Sequence, residues 1–170
     1  MKRDHRKEFL EAYELYAEAI WRHGFFRVFS KERAEELMQE TFMRTWQYLR
    51  DGNTIANLRA FLYQTLRNLI VDDARRKKEA SLDKLMETSD AAEPSYDARE
   101  DIERQVLLSH VREVIAKLPE EDRELVILRY VDDLPPREIG EVLGINVNNV
   151  SVRLHRIVET LRDIINPPTP

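Results

Sequence analysis

Near its C-terminus the chain reads LPPREIGEVLGINVNNVSVRLHRIVETLRDI, from Leu134 to Ile164. Two apolar periodicities meet there around one glycine. Ile139, Val142 and Leu143, with Glu138 beside them, line one side of a short helix over Pro136–Leu143. Gly144 stands where a left-handed residue lets a helix end and the chain turn sharply. Asn146 is a good N-cap for the next helix, Val147–Ile165, because its side chain can accept from an unsatisfied backbone N–H. In that helix Val147, Val150, Leu154, Ile157, Leu161 and Ile164 are expected inward. Asn148, Asn149, Ser151, Val152, Arg153, His155 and Arg156 are then left outward or at the rim. Gly140 costs about 1 kcal/mol relative to alanine inside a helix, which points to a close helix–helix approach. A short helix, a tight turn and a second helix with a polar start is the layout of a helix-turn-helix. In that motif the first residues of the second helix reach base edges in the major groove. Asparagine suits adenine, arginine suits guanine, and an exposed valine suits the thymine methyl. The competing reading of the same residues is a helical hairpin with a solvated polar face.

Working outward, the rest of the chain also reads as helical. Phe9, Tyr13, Tyr16 and Ile20 mark a first helix ending near Gly24. Ser30 caps a second running to about Arg50, with Ala34, Leu37, Thr41, Trp46 and Leu49 near one face. After the turn Arg50–Asn53, a third helix spans about Asn57 to Lys78 and closes on the basic run Arg75–Lys78, which suits the negative end of a helix dipole. Residues 80–100 then turn acidic and lose periodicity, as a linker does, with one short helical turn around Leu82–Met86. Ile102, Val106, Val111, Val114 and Leu118 begin a further helix stopped at Pro119, and another covers Glu120–Tyr130. Scarce glycine and few β-branched runs favour an all-α fold. The expected organisation is two small helical domains, residues 1–79 and 101–170, joined by a flexible acidic linker.

Composition limits the function classes. With no cysteine, disulfides and thiolate metal sites are excluded, and a reducing cytosol is the expected setting. No apolar run approaches a membrane span, and the charged N-terminus lacks the core of a signal peptide. No membrane insertion and a cytoplasmic location are therefore expected. The four histidines, His5, His23, His110 and His155, show no metal-ligand spacing. No phosphate-binding glycine loop or nucleophile–base–acid order is present. No enzymatic activity, catalytic residue, cofactor or metal is expected. The net charge of −5 sits badly with a protein that grips DNA alone, because phosphate neutralisation supplies most of that affinity.

The segment beginning LPEEDRELVILRY at Leu118, with EIGEVLGI further on, resembles region 4 of the extracytoplasmic-function sigma factors of the sigma-70 family. At the recognition helix Val150 and Arg153 fit the family pattern, while Asn149, Ser151 and Val152 depart from it. AEELMQETFMRTW, Ala34 to Trp46, resembles the part of region 2 that docks on the clamp helices of the polymerase β′ subunit. FLYQTLRNLIVDDARRKK, Phe61 to Lys78, resembles the segment that recognises and melts the −10 promoter element. Leu62, Tyr63, Arg67, Asn68, Leu69, Asp72, Arg75 and Arg76 match it. Phe61 stands in place of a tryptophan, and Thr65 and Leu66 replace an Ile-Ala pair.

The resemblance implies a region 2 bundle of three or four helices, a region 4 helix-turn-helix, and a sigma factor that directs core RNA polymerase to promoters. It implies polymerase contacts through Glu36, Gln39, Glu40, Arg44 and Gln47, and through the β flap. For the −10 element it implies Asp51, Asn53, Arg59, Tyr63, Arg67, Asn68, Arg75 and Arg76, around a pocket for a flipped-out base formed by the loop Asp51–Asn57 and the adjoining helix. Tyr63 and Phe61 could stack on bases, but core packing is the favoured role for both. For the −35 element it implies Asn146, Asn148, Asn149, Ser151, Val152, Arg153, His155 and Arg156. An anti-sigma factor is a further implied partner. The acidic run Asp83–Asp101 is suited to a nucleic-acid path by charge mimicry. The acidic balance then fits a protein that reads promoters while the polymerase supplies the cationic surface. The alternatives are a sigma-like decoy that binds an anti-sigma factor without DNA, and a conventional helix-turn-helix regulator.

Overall fold

The computed structural model describes residues 5–83 and 100–166, which form seven α-helices and one π-helical turn, with no strand among them. The linker expected over 80–100, with its flexibility and charge mimicry, lies almost wholly outside the described residues.

Helix α1 (His5–Val28) runs four residues past Gly24. Gly24 does not stop the helix. It is buried, and a side chain there would sit 3.7–3.8 Å from Ala34, so the small residue serves close packing between α1 and α2 (Lys31–Arg50). The chain turns instead at Phe29, with φ of 50°. Ser30 then caps α2 as expected, its hydroxyl accepting from the Arg33 N–H at 3.2 Å. The α2 positions Ala34, Leu37, Thr41 and Leu49 are buried. Buried hydroxyls at Thr41 and Thr45 donate to carbonyls one turn back, at 2.7 and 2.8 Å. Tyr13 stays partly outward while its ring meets Phe42 at 4.8 Å.

Helix α3 (Leu58–Asp83) starts where Asn57 accepts from the Ala60 N–H at 3.1 Å, and it extends past Lys78 to take in Leu82 and Asp83. Together α1, α2 and α3 form a three-helix bundle.

The second half begins with α4 (Glu100–Ala116), whose last carbonyl is held by Arg123 together with that of Leu118 in the turn beyond. The Arg123 guanidinium donates to Leu118 O at 2.8 Å and to Ala116 O at 3.1 Å. One continuous helix is expected over Glu120–Tyr130. The structure has α5 (Glu120–Val126) leading into a π-helical turn, Ile127–Val131, closed by Asp132 N–H to Ile127 O at 3.0 Å. The wider turn brings Asp132 inward, where it is buried. Helices α6 (Pro136–Leu143) and α7 (Val147–Ile165) fall on the expected bounds. Gly144 is left-handed at φ 67°. A side chain on Gly140 would lie 2.8 Å from the Ile145 carbonyl, so this glycine admits the backbone of the turn itself. Val150, Leu154 and Ile157 are buried, whereas Val147 is 40% exposed and not inward.

The two halves share one apolar cluster. Ile20, Leu62, Tyr63 and Leu66 from the first half belong to the same core as Leu125, Leu128, Leu134 and Ile139 from the second. α1 lies against the π-turn and α3 lies against α6. The sequence suggests two tethered units; here they close on each other.

Candidate nucleic-acid and polymerase interface

Three surfaces carry the residues singled out from the sequence, and closure treats each differently. On α2, Glu36, Gln39, Glu40, Arg44 and Gln47 fall along one outward stripe, at spacings of three and four. Arg44 pairs with Glu40 at 2.6 Å, Arg33 pairs with Glu36 at 2.6 Å, and Gln39 donates to Glu35 at 3.2 Å. These contacts are local to the helix and its neighbours and leave the stripe uncovered.

On α7, Asn146 acts as N-cap, its side chain accepting from the Asn148 N–H at 2.8 Å. Asn148, Asn149, Ser151, Val152, His155 and Arg156 are exposed along the start of the helix. Arg153 is different. It is half-buried and bonded to Asp122 at 2.8 Å and Glu121 at 3.1 Å, so its guanidinium braces α7 against α5 and is not free on the outer face. The two carboxylates raise its already high pKa. The α6–Gly144–α7 arrangement has the form of a helix-turn-helix with its second helix open to solvent along the N-terminal half.

The third surface surrounds the turn after α2 and the start of α3. Asp51 and Asn53 are exposed, and Asn53 donates to Tyr48 O at 3.0 Å, which shapes the turn through Gly52. An open cleft of about 270 Å³ lies beside it, lined by Tyr48, Ile55, Asn57, Phe61 and Gln64 among others. The Tyr48 and Phe61 rings sit 4.9 Å apart. Arg75 and Arg76 are exposed farther along α3, as is Asn68, and Arg67 is half-buried. Tyr63 is not on this surface. It is 1% exposed, with its ring 5.4 Å from His23, and belongs to the core. Burial and the nearby Asp132 carboxylate push its phenol well above the ordinary value. Arg59 is engaged as well, bonded to Glu138 of α6 at 2.9 Å.

Beneath these surfaces lies a group of buried charges that sequence inspection missed. His23 of α1 is fully buried, with Nδ1 2.7 Å from Asp132 Oδ2 and Nε2 3.2 Å from Glu124 Oε1. Arg27 reaches Glu124 at 2.8 Å and Glu120 at 3.3 Å, and Arg22 lies 4.0 Å from Asp132. Both imidazole nitrogens face carboxylates, Nδ1 in a hydrogen bond and Nε2 in a charge contact, surroundings that suit the doubly protonated ring. Burial alone would lower the His23 pKa. Attraction to Glu124 and hydrogen bonding to Asp132 outweigh it and raise the value to about 9. Burial alone would likewise raise the Glu124 carboxyl, but His23, with Arg27 and Arg67, holds it below its usual range. Nothing local in the sequence pairs His23 with a residue 109 positions away. Among the described residues no cluster has the composition of a metal site, and no helix is long and apolar enough to cross a membrane.

Comparison with known proteins covers both halves of the chain. Residues 12–80 match the family described as Sigma-70 region 2, and residues 108–161 match Sigma-70, region 4. The chain is 26% identical over 170 residues to the ECF RNA polymerase sigma factor SigW of Bacillus subtilis, covering 95% of this chain and 91% of that protein. It is also 26% identical to the ECF RNA polymerase sigma factor SigL of Mycobacterium tuberculosis, over 88% of this chain and 84% of the relative. Among solved structures, the sigma factor RpoE bound to the anti-sigma factor NepR, from Bartonella quintana, superposes with a TM-score of 0.72. It shows 20% identity and covers 96% of this chain and 99% of that one. CnrH in complex with the cytosolic domain of CnrY gives 0.71 at 19% identity, over 96% of this chain and 91% of that one.

Proposed function

Since the chain belongs to the extracytoplasmic-function branch of the sigma-70 family, we propose that it is the promoter-selecting subunit of a bacterial RNA polymerase, working in the cytoplasm. The observation that carries this reading is the presence of both sigma regions, in family order, within one chain. The α2 stripe of Glu36, Gln39, Glu40, Arg44 and Gln47 docks on the β′ clamp helices, and the second half meets the β flap. The outer face of α7 enters the major groove at the −35 element. Asn148, Asn149, Ser151, Val152, His155 and Arg156 are the candidates for base and phosphate contact, with Asn146 and Arg153 fixing the helix that presents them. Around the cleft, Asp51, Asn53, Asn57, Arg59, Arg67 and Asn68 take the −10 element. One unstacked base sits between loop and helix, at an extrusion cost of a few kcal/mol recovered in the pocket. Arg75 and Arg76 follow phosphates. Bond making belongs to the polymerase, and the chain contributes selection and no chemistry.

Two features support this reading over a free-standing regulator. A net charge of −5 disfavours autonomous DNA binding, and a regulator leaves the α2 stripe without a role. The solved structure of RpoE bound to the anti-sigma factor NepR supports an anti-sigma partner here too. Run-off transcription on genomic DNA tests the assignment. Adding the protein to core polymerase should create new start sites, and their absence would reject the sigma reading. Reversing the charge of Glu36 and Glu40 should weaken core binding and leave the fold intact.

A further inference from the structure

At the cleft beside α3, the donors that face outward are already occupied, and by the other half of the protein. Asn57 Nδ2 donates to Glu141 Oε2 at 2.7 Å. The orientation of that amide is fixed, because its oxygen accepts from the Ala60 N–H. Gln64 Nε2 donates to the Glu141 carbonyl at 2.8 Å. One turn earlier on α6, Glu138 holds Arg59 at 2.9 Å, and both side chains are about one-third exposed. Glu138 and Glu141 are three residues apart and so share one helix face. Glu141 also forms part of the cleft wall.

We propose that this acidic edge of α6 is an internal competitor for the single DNA strand, seated on the amides and guanidinium that would otherwise take it. The inference rests on the sigma-factor reading and adds a regulatory contact to it. A carboxylate on the Asn57 amide and another on Arg59 offer the acceptors that a base edge and a phosphate would offer. A strand and α6 cannot both use these donors, so the strand binds only molecules in which α6 has moved away. The apparent affinity then falls by the fraction of molecules that are open. Gln64, absent from the sequence-based site, becomes a residue of the pocket.

The full-length protein tests this directly. Because the chain has no cysteine, Lys31→Cys and Arg162→Cys give two unique spin-label sites, one in each half. Glu138→Gln combined with Glu141→Gln should lengthen the distance between labels. It should also tighten binding of a short, fluorescein-labelled single strand of randomised sequence by roughly ten-fold, the factor withheld when about nine molecules in ten are closed. Adding Asn57→Ala and Gln64→Ala should abolish that gain. A charge-matched control, Glu14→Gln with Glu113→Gln, should show none. The proposal is overturned if the control gains equally, if the gain survives loss of Asn57 and Gln64, or if the glutamine pair leaves binding unchanged. Run-off transcription with the wild-type protein separates the two readings. New starts without a gain in strand binding reject the competitor alone, whereas no new starts reject the sigma assignment beneath it.

Discussion

Helices α3 and α7 both carry a candidate reading face, yet they meet solvent differently. α7 is anchored through Val150, Leu154 and Ile157 on one side, and its opposite side is open. α3 is packed on two sides, by α1 and α2 and again by α6. Its cleft donors are engaged with Glu138 and Glu141. In the closed form the proposed −35 face is presented and the proposed −10 face is withheld. The contacts that withhold it grade from a dry interior at His23 to a wet rim at α6. Buried ion pairs and exposed ones differ in what they contribute and in what their loss costs, so the two layers respond to different perturbations.

The largest expected effect comes from breaking the interior. His23→Ala leaves Glu124 and Asp132 buried without their shared cation, and removing one partner of a buried charged set costs about 3–5 kcal/mol. Denaturant titration should show a loss of that order, with the halves separating before the helices melt. A loss under about 1 kcal/mol would mean that water already reaches the cluster.

Acidity probes the same contact. His23 titrates at about 9 in the folded protein against 6.5 as its ordinary value. Its stabilisation is therefore full below pH 6.5 and is lost as pH rises towards 9. Glu124, held below its ordinary value, acts in the opposite sense, and its share is lost in the acidic carboxylate range. Unfolding free energy measured across these windows should fall on the alkaline side in the wild type. His23→Gln should flatten that decline. An unchanged slope would place it in groups other than His23.

Next in size is Gly140→Ala. The added methyl would lie 2.8 Å from the Ile145 carbonyl, so the turn must shift, at about 1–3 kcal/mol. This should lower the melting temperature and also disturb the presentation of α7. The smallest effect on stability, and the sharpest contrast, comes from two arginines. Arg153→Ala loses pairs to Glu121 and Asp122 that are partly solvated, worth about 1 kcal/mol. Arg156→Ala should leave melting unchanged and reduce transcription from −35-dependent promoters. Equal effects of the two on stability would remove the distinction between bracing and reading residues.

Local signals located most of the fold. Ser30, Gly144 and Asn146 each do at a helix end what their chemistry suggests, and the bounds of α6 and α7 follow from them. Gly24 was misleading because a glycine that ends a helix and one that lets two helices touch look alike in one dimension. Only the position of Ala34 separates them. The π-turn at Ile127–Val131 has no periodic signature, since one wider turn barely disturbs the apolar pattern. Tyr63 could stack or pack by composition alone, and the shared core decides for packing. The α2 stripe and the exposed start of α7 were legible because each lies on a single helix. The buried charges and the α6 contacts were not, because each joins residues about 80 to 110 positions apart and is fixed only by closure.

The ends of α3 and α4, at Asp83 and Glu100, set a last consequence. Whatever route the chain takes between them, residues 84–99 reach no farther than roughly 55 Å. The halves therefore remain leashed, and each meets the other at an effective concentration on the order of millimolar. Dilution cannot release them. Shared core and rim bonds re-form within one molecule, and any outside molecule that keeps the halves apart must outbid a neighbour that never diffuses away.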